Sequence, residues 1–372
     1  MPRLRSQREG EELTTNGRLI PFSFWPAIRS NRWALQRRLY VRDPWATLFE
    51  AVYRSTIPKR KIDEALSYLD QAEAFYEAGT EISGRMSVKP LLLYYSIMNL
   101  AKCMIAVRRT GLDLSHAQHG LTATRLHQRA ILGDAVGIRT SPNRVNVFSE
   151  LMTILDGHAP TLRNLQVRHL LPQILPAHRL WAYASGRKEQ FINVAPRAFH
   201  DATTRKAWLS VYVDRGELAY MGLGVNKFIA AAGLPGHWEQ VQGSQDDAHW
   251  IILEQLDDTS YIGRPLDCAT DLFRSIRPAL WSVVTTTGPH RKYYLNIDTG
   301  LGAHRLPQWS SVYILFFYFS DLTRYRPVHF DRFLESKYGP QTESFLDECP
   351  SQFLVLMASE LLQREVAPAD LA

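Results

Sequence analysis

The sequence predicts an α+β protein, predominantly α, in which a helical bundle carries a small antiparallel β-subdomain inserted before the C-terminal helices. Three observations carry that expectation. Residues 87–109 are apolar on nearly every helical face, which in a water-exposed chain demands burial on several sides. A second such run, residues 310–324, follows far downstream. Between them, from about residue 194, the texture changes to short β-branched and aromatic runs separated by Gly, Pro and Asp.

The 372 residues suffice for two or three structural units. A composition 45% hydrophobic and 22% charged is that of an ordinary globular protein and excludes a disordered class. The formal charge of +6 permits an anionic partner such as RNA or DNA, although solvated Arg and Lys spread over the surface give the same total. Cys103, Cys268 and Cys349 lie far apart without a Cys-x-x-Cys pair. Neither a zinc centre nor a disulfide framework is expected, and a reduced, cytoplasmic protein without a cofactor fits. Residues 1–12 lack an apolar signal core and read as a loose tail. No membrane span is expected, because Ser96, Asn99 and Lys102 interrupt the first apolar run and residues 312–322 are too few for a bilayer of about 30 Å.

Residues 1–43 form a basic and aromatic segment. In it Trp25, Trp33, Leu35 and Leu39 mix with Arg29, Arg32, Arg37, Arg38 and Arg42. That mixture suits stacking and phosphate pairing with nucleic acid, or an amphipathic helix with snorkelling arginines, and the second reading is preferred. The helical region spans 44–193. Asp43 before Pro44 marks a helix start running to about residue 55, and Pro58 breaks the chain. Residues 61–78 place Ile62, Ala65, Leu66, Leu69, Ala72, Phe75 and Tyr76 three and four apart, the spacing of an amphipathic helix. A short Gly-containing link leads to 87–109, so the two helices should pack as an antiparallel αα-hairpin. Ser87 as cap, Pro90 in the first turn, Arg108 and Arg109 at the negative end of the dipole, and Gly111 as a left-handed exit delimit the central helix. Residues 121–141 carry Arg125, His127, Arg129 and Arg139 without a clean period and read as an exposed, anion-facing connection. Residues 145–155 form a helix with Asn143 as cap, and 161–181 a helix broken by Pro172 and Pro176.

The β-rich insert spans 194–300, with strands at 207–213, 250–256, 280–285 and 293–297 and a hairpin loop from Thr287 to His290. Gly222 and Gly224 lack the third glycine or the Lys-Ser/Thr of a phosphate loop and read as a turn. Within 301–372, the aromatic helix 310–324 packs on the central one and ends at Arg324, Arg326 and Pro327. Further helices are expected at 330–338, 343–348 and 352–364. Asp246, Asp247 and His249, like His200 and Asp201, have no further ligand tied to them by spacing and read as loop residues rather than a metal site.

The stretch from Pro90 to Lys102 with its Tyr94 and Tyr95, the turn His119, Gly120 and Leu121 with a basic stretch after it, and Leu306 and Pro307 before a helix ending in Arg324 and Tyr325 resemble the YaaC-like family of bacterial proteins in order and spacing. The resemblance covers the chain from about residue 45 onward, and the family name implies no particular biochemistry. The hairpin and central helix also resemble the HEPN superfamily, whose helical domains carry a Tyr-Tyr pair on a core helix and a His-Gly turn after it. That resemblance implies a HEPN-like helical bundle and, in many members, a metal-independent ribonuclease of toxin or antiviral systems. In such enzymes an Arg followed after four to six residues by a His is doubled across a homodimer. The His transfers a proton at the 2′-hydroxyl or leaving oxygen, and the Arg stabilises the phosphorane.

Arg109 and His116 fit that spacing, and Arg163 with His169 form a reserve pair. The plainer readings are helix-end charge complementarity for Arg109, hydrogen bonding in the turn for His116, and a structural turn at His119 and Gly120 rather than a base. Two functions therefore stand. The favoured one is a binding subunit of a bacterial defence or stress system, holding RNA, DNA or a protein partner on a basic face that includes Arg108, Arg125, Arg129, Arg324 and Arg326. The alternative is a ribonuclease acting through Arg109 and His116, as a homodimer and without metal.

Overall fold

The computed structural model describes residues 4–15, 17–26, 38–82, 86–124, 131–139, 144–160, 164–244, 247–285, 291–297 and 304–369. The chain divides into two compact units, each assembled from separated stretches. A sheet unit comprises Met1–Tyr40, Lys188–Gly302 and Gln363–Ala367, and a helical unit comprises Val41–Arg187, Ala303–Leu362 and Pro368–Ala372. Helix accounts for 50% and strand for 21%, so this is an α+β protein in which helix predominates.

The helical unit is organised around Lys89–Arg108. Pro90 sits in its first turn as expected, but no side chain caps the start. Ser87 instead gives its carbonyl to the Thr323 hydroxyl at 2.7 Å. At the other end Arg109 leaves the helix with φ −129°, and Gly111 keeps a negative φ, so the exit is not the left-handed one expected. By length and hydropathy this helix could cross a bilayer, yet 67% of its most apolar window is buried within the protein, as befits a core post.

Lys59–Glu81 precedes it and buries Lys61, Ala65, Leu69, Ala72 and Gly79 along one stripe. Gly79 meets Leu93, Ala72 meets Ser96, and Gln71 meets Asn99, an order that runs oppositely along the two helices and makes the hairpin antiparallel. Ser96 Oγ donates to the Ala72 carbonyl at 2.7 Å. A Cβ on Gly79 would lie 2.9 Å from Leu93 Cδ2, so glycine permits this approach.

The aromatic helix Gln308–Tyr325 is buried along nearly its whole length. Tyr313 and Phe317 meet Tyr94 edge-on at 6.0 and 5.6 Å, contacts that add about 0.5–1.5 kcal/mol each beyond burial. With Thr323 at Ser87, this helix also runs antiparallel to the central one. Pro44–Tyr53 begins as expected, Asp43 Oδ1 accepting the Trp45 N–H at 2.8 Å. After Pro327–Leu334, a single helix Gly339–Leu362 runs where two were expected. Pro350 lies inside it, buried with Phe353 and Leu354, whose packing holds the helix across the one hydrogen bond that proline removes.

Residues expected to form an exposed connection fold instead as strands. Leu121–Thr124 and Ala135–Ile138 pair antiparallel, and Asn164–Gln166 adds a third strand. Just before the second, Asp134 is buried and accepts from the Tyr318 hydroxyl at 2.8 Å and from Arg326 at 2.9 Å. The helix Val147–Asp156 follows, closed by Gly157 at φ +78°; Asn143, its expected cap, lies outside the described residues.

The β-rich part is neither small nor purely antiparallel. Nine strands form one sheet in the order Arg5–Ser6, Trp238–Gln242, Trp250–Gln255, Lys206–Asp214, Phe191–Asp201, Arg291–Asn296 and Leu280–Val284, with Thr259–Ser260 and Glu11–Glu12 added at the ends of the two middle strands. The described pairings are antiparallel except that of Arg5–Ser6, which is parallel to its neighbour. The four expected strands are present. The expected hairpin pairs Leu280–Val284 with Arg291–Asn296, its loop residues 287–290 lying outside the described residues.

The N-terminal residues, expected as a loose tail, are tied down. Arg5 and Arg8 both pair with Glu254, whose side chain is fully buried, and the Arg8 guanidinium lies 4.3 Å from the Trp208 ring centre. Of the basic and aromatic segment, Phe22 and Phe24 pack on Tyr293 at 4.8 and 5.3 Å, and Arg38 pairs with Glu365 at 2.7 Å. Trp33, Arg29, Arg32 and Arg37 lie outside the described residues. Gly222 turns the chain at φ +70°, as the turn reading requires.

Candidate anion-binding site

Tyr95, Met98 and Lys102 recur three and four residues apart and form one stripe of the central helix, with Tyr94 beside it. Across this stripe lies the turn 117–121. The Gln118 amide donates to the Val145 carbonyl and the Gln118 carbonyl accepts from the Val147 amide, both at 2.8 Å, and the Arg139 amide donates to the Gly120 carbonyl at 2.9 Å. Gly120 adopts φ +79°, a conformation that favours glycine, and a Cβ there would sit tightly against Asn146 Cβ at 3.0 Å. Arg324, at the end of the aromatic helix, completes the wall. Together these residues enclose a cleft of about 450 Å³ within the helical unit.

The cleft is cationic. Lys102, His119, Arg139 and Arg324 line it, and among the described residues no aspartate or glutamate does. Loss of water around Lys102 lowers the pKa of its ammonium, and its Nζ sits 5.3 Å from the Tyr68 ring centre rather than on a carboxylate. His119 is lowered too, first by desolvation and then by the positive charges of Arg324 and Arg139, although part of its ring is exposed. Its ring leans on Phe317 at 5.3 Å, and Nδ1 accepts the Leu121 N–H at 3.2 Å. In the neutral ring the proton therefore sits on Nε2. Tyr94 is buried, and burial pushes its hydroxyl well up, partly opposed by Tyr313 and Arg324. Asn146 donates Nδ2 to the Arg144 carbonyl at 3.2 Å, while its buried Oδ1 has no partner among the described residues.

The residues singled out from sequence are distributed differently. Arg109 lies 3.6 Å from Glu150, at the end of the central helix opposite to Tyr94. His116 is exposed, and no described hydrogen bond or ion pair links it to Arg109. Neither lines the cleft. Of the reserve pair, Arg163 lies outside the described residues, and His169 stacks on His304 at 4.5 Å. Arg108 donates to the Glu360 and Leu361 carbonyls at 2.8 and 3.2 Å, closing the end of the last long helix. Arg326 turns inward to Asp134, and Arg125 and Arg129 lie outside the described residues. Of the described nucleic-acid candidates, Arg324 is the one in the cleft.

Sequence reasoning passed over Lys102 and Asn146, placed Arg139 in an anion-facing connection without assigning it to the site, and read His119 as a turn. A signal existed for Lys102, which is the single cation between Pro90 and Val107 in an otherwise near-apolar helix. Among the described residues no group of three His, Cys, Asp or Glu side chains is placed to hold a metal ion. His200 Nδ1 lies 3.2 Å from the Tyr261 hydroxyl, and Asp201 accepts from Thr203 and Thr204 in a turn. Cys103, Cys268 and Cys349 are free and buried.

A family model described as YaaC-like Protein matches residues 28–361. No curated protein and no solved structure matches the chain.

Proposed function

The chain belongs to the YaaC-like family, and on that premise we propose that it is a nucleic-acid-binding protein whose helical unit grips strand phosphate in the cleft of Lys102, His119, Arg139 and Arg324. One observation carries the reading: Lys102, Arg139 and Arg324, with the His119 N–H, converge on a concave surface lined by no carboxylate among the described residues. A solvated surface normally intersperses both signs, whereas an uncompensated cluster in a cleft raises the local concentration of anions. Tyr94 and Tyr95, with His119 and Gly120, are the residues that carry the HEPN-like resemblance, and their meeting at one cleft supports a HEPN-like core. Binding is placed ahead of cleavage because Arg109, which lies 3.6 Å from Glu150, and His116 stand outside the cleft, and the ring of His119 within it offers a donor at Nε2, not a free base.

The test is anisotropy of labelled single-stranded RNA with wild type, Arg139→Ala, Arg324→Ala and the pair Arg109→Ala with His116→Ala. The two cleft variants should each weaken binding about tenfold or more, as the loss of a charge-assisted hydrogen bond implies, and the last should bind as wild type. Affinity should fall steeply with salt. Binding that ignores the cleft variants or the salt concentration would overturn the reading. Metal-independent cleavage lost with His116→Ala would establish the ribonuclease alternative in its place.

A further inference from the structure

The reading of the cleft as a phosphate site has a sharper form, which rests on it. We infer that the cleft takes a nucleotide bearing a terminal phosphomonoester, supplied either as a free nucleoside monophosphate or as the 5′-phosphorylated end of a strand, with Asn146 accepting a hydrogen bond from its sugar or base.

Charge is the first support. A backbone phosphodiester carries one negative charge, whereas a terminal phosphomonoester carries about −1.5 to −2 at neutral pH and three strong acceptor oxygens. Lys102, Arg139 and Arg324 bring three positive charges with no carboxylate among the lining residues to offset them. The neutral His119 adds an N–H donor, since Leu121 occupies Nδ1 and leaves Nε2 protonated. The donor set is thus richer than a single passing diester requires.

Size and the odd polar atom are the second and third. A cavity of about 450 Å³ is on the scale of one small ligand. Asn146 Oδ1 is buried, lines this cleft and accepts no hydrogen bond from the described residues. The dianion of a terminal phosphomonoester has no proton to give it, so that group alone leaves it unsatisfied; a sugar hydroxyl or a base amino group does not. Tyr95, half-buried and backed by Phe75 at 5.4 Å, supplies an aromatic wall for the rest of the nucleotide.

The experiment compares one single-stranded oligonucleotide with a 5′-phosphate or a 5′-hydroxyl, and competes the bound strand with AMP or with inorganic phosphate. Wild type should favour the phosphorylated end about tenfold or more. Arg139→Ala should erase that preference, and Asn146→Ala should weaken AMP more than inorganic phosphate, with thermal melting showing both variants folded. If strands with either end bind equally and still depend on Arg139, the terminal-phosphate inference falls and nucleic-acid binding stands. If AMP binds but neither strand does, the inference stands with the free nucleotide as ligand and strand binding falls. Competition by inorganic phosphate as strong as by AMP overturns the part assigned to Asn146.

Discussion

Because the Leu121 amide donates to Nδ1 of His119, a second proton can reach that ring only by displacing a hydrogen bond. Desolvation and the charges of Arg324 and Arg139 also oppose it. Lys102, Tyr94 and Tyr95 also line the cleft, and among the described residues no carboxylate does. A bound phosphate reverses the local sign and raises the pKa of the ring relative to the free protein. The ring then holds more protons in the complex than in the free protein, so its contribution to affinity grows as pH falls below the ordinary imidazole value toward the lowered one. Calorimetry of a 5′-hydroxyl strand, whose phosphodiesters do not titrate near neutral pH, in buffers of different ionisation enthalpy should detect proton uptake on binding, and His119→Gln should abolish it; proton release would contradict the assignment. None of this was visible locally in the chain. His119, Arg139, Arg324 and Lys102 come from four segments, and only the packing of two buried helices and a short strand pair brings them to one cleft.

At the scale of elements, the sequence was readable where burial is continuous and unreadable where partners are remote. Lys89–Arg108 announces itself by apolar side chains on every face and by Pro90. Its ends do not, because the Ser87 carbonyl is claimed by Thr323 of another helix. Pro350 reads as a stop, and only the burial of Phe353 and Leu354 explains why the helix continues. The strands Leu121–Thr124 and Ala135–Ile138 have four residues each, too few for an alternating pattern to emerge. What secures them is tertiary, since Asp134 is buried between Tyr318 and Arg326 of the aromatic helix region. Asp134→Ala should therefore cost about 3–5 kcal/mol in urea denaturation by removing the buried acceptor that the Tyr318 hydroxyl and Arg326 share. Adding Arg326→Met should recover part of that loss. A single-variant cost under about 1 kcal/mol would show that water reaches the site.

At the scale of the whole molecule, each unit is closed by contacts between distant stretches, which is why Arg5 and Arg8 read as part of a tail. Their partner, Glu254, is buried on a strand nearly two hundred and fifty residues away. Glu254→Ala should release residues 5–12, seen as faster amide exchange and new protease sensitivity there, while Lys206–Asp214 keeps its protection between neighbours on both sides. Retained protection at residues 5–12 would mean that the backbone pairing with Trp238–Gln242 suffices. The same threading has a consequence in time. The chain is made from its N-terminus, so the Arg5–Ser6 strand emerges from the ribosome long before Trp238–Gln242 exists to receive it. The central helix likewise waits for Gln308–Tyr325 to cover Tyr94. Neither unit can mature domain by domain during translation. The nascent chain must carry an apolar helix covered on its hairpin side alone until the aromatic helix is made, a period in which a chaperone would find its substrate.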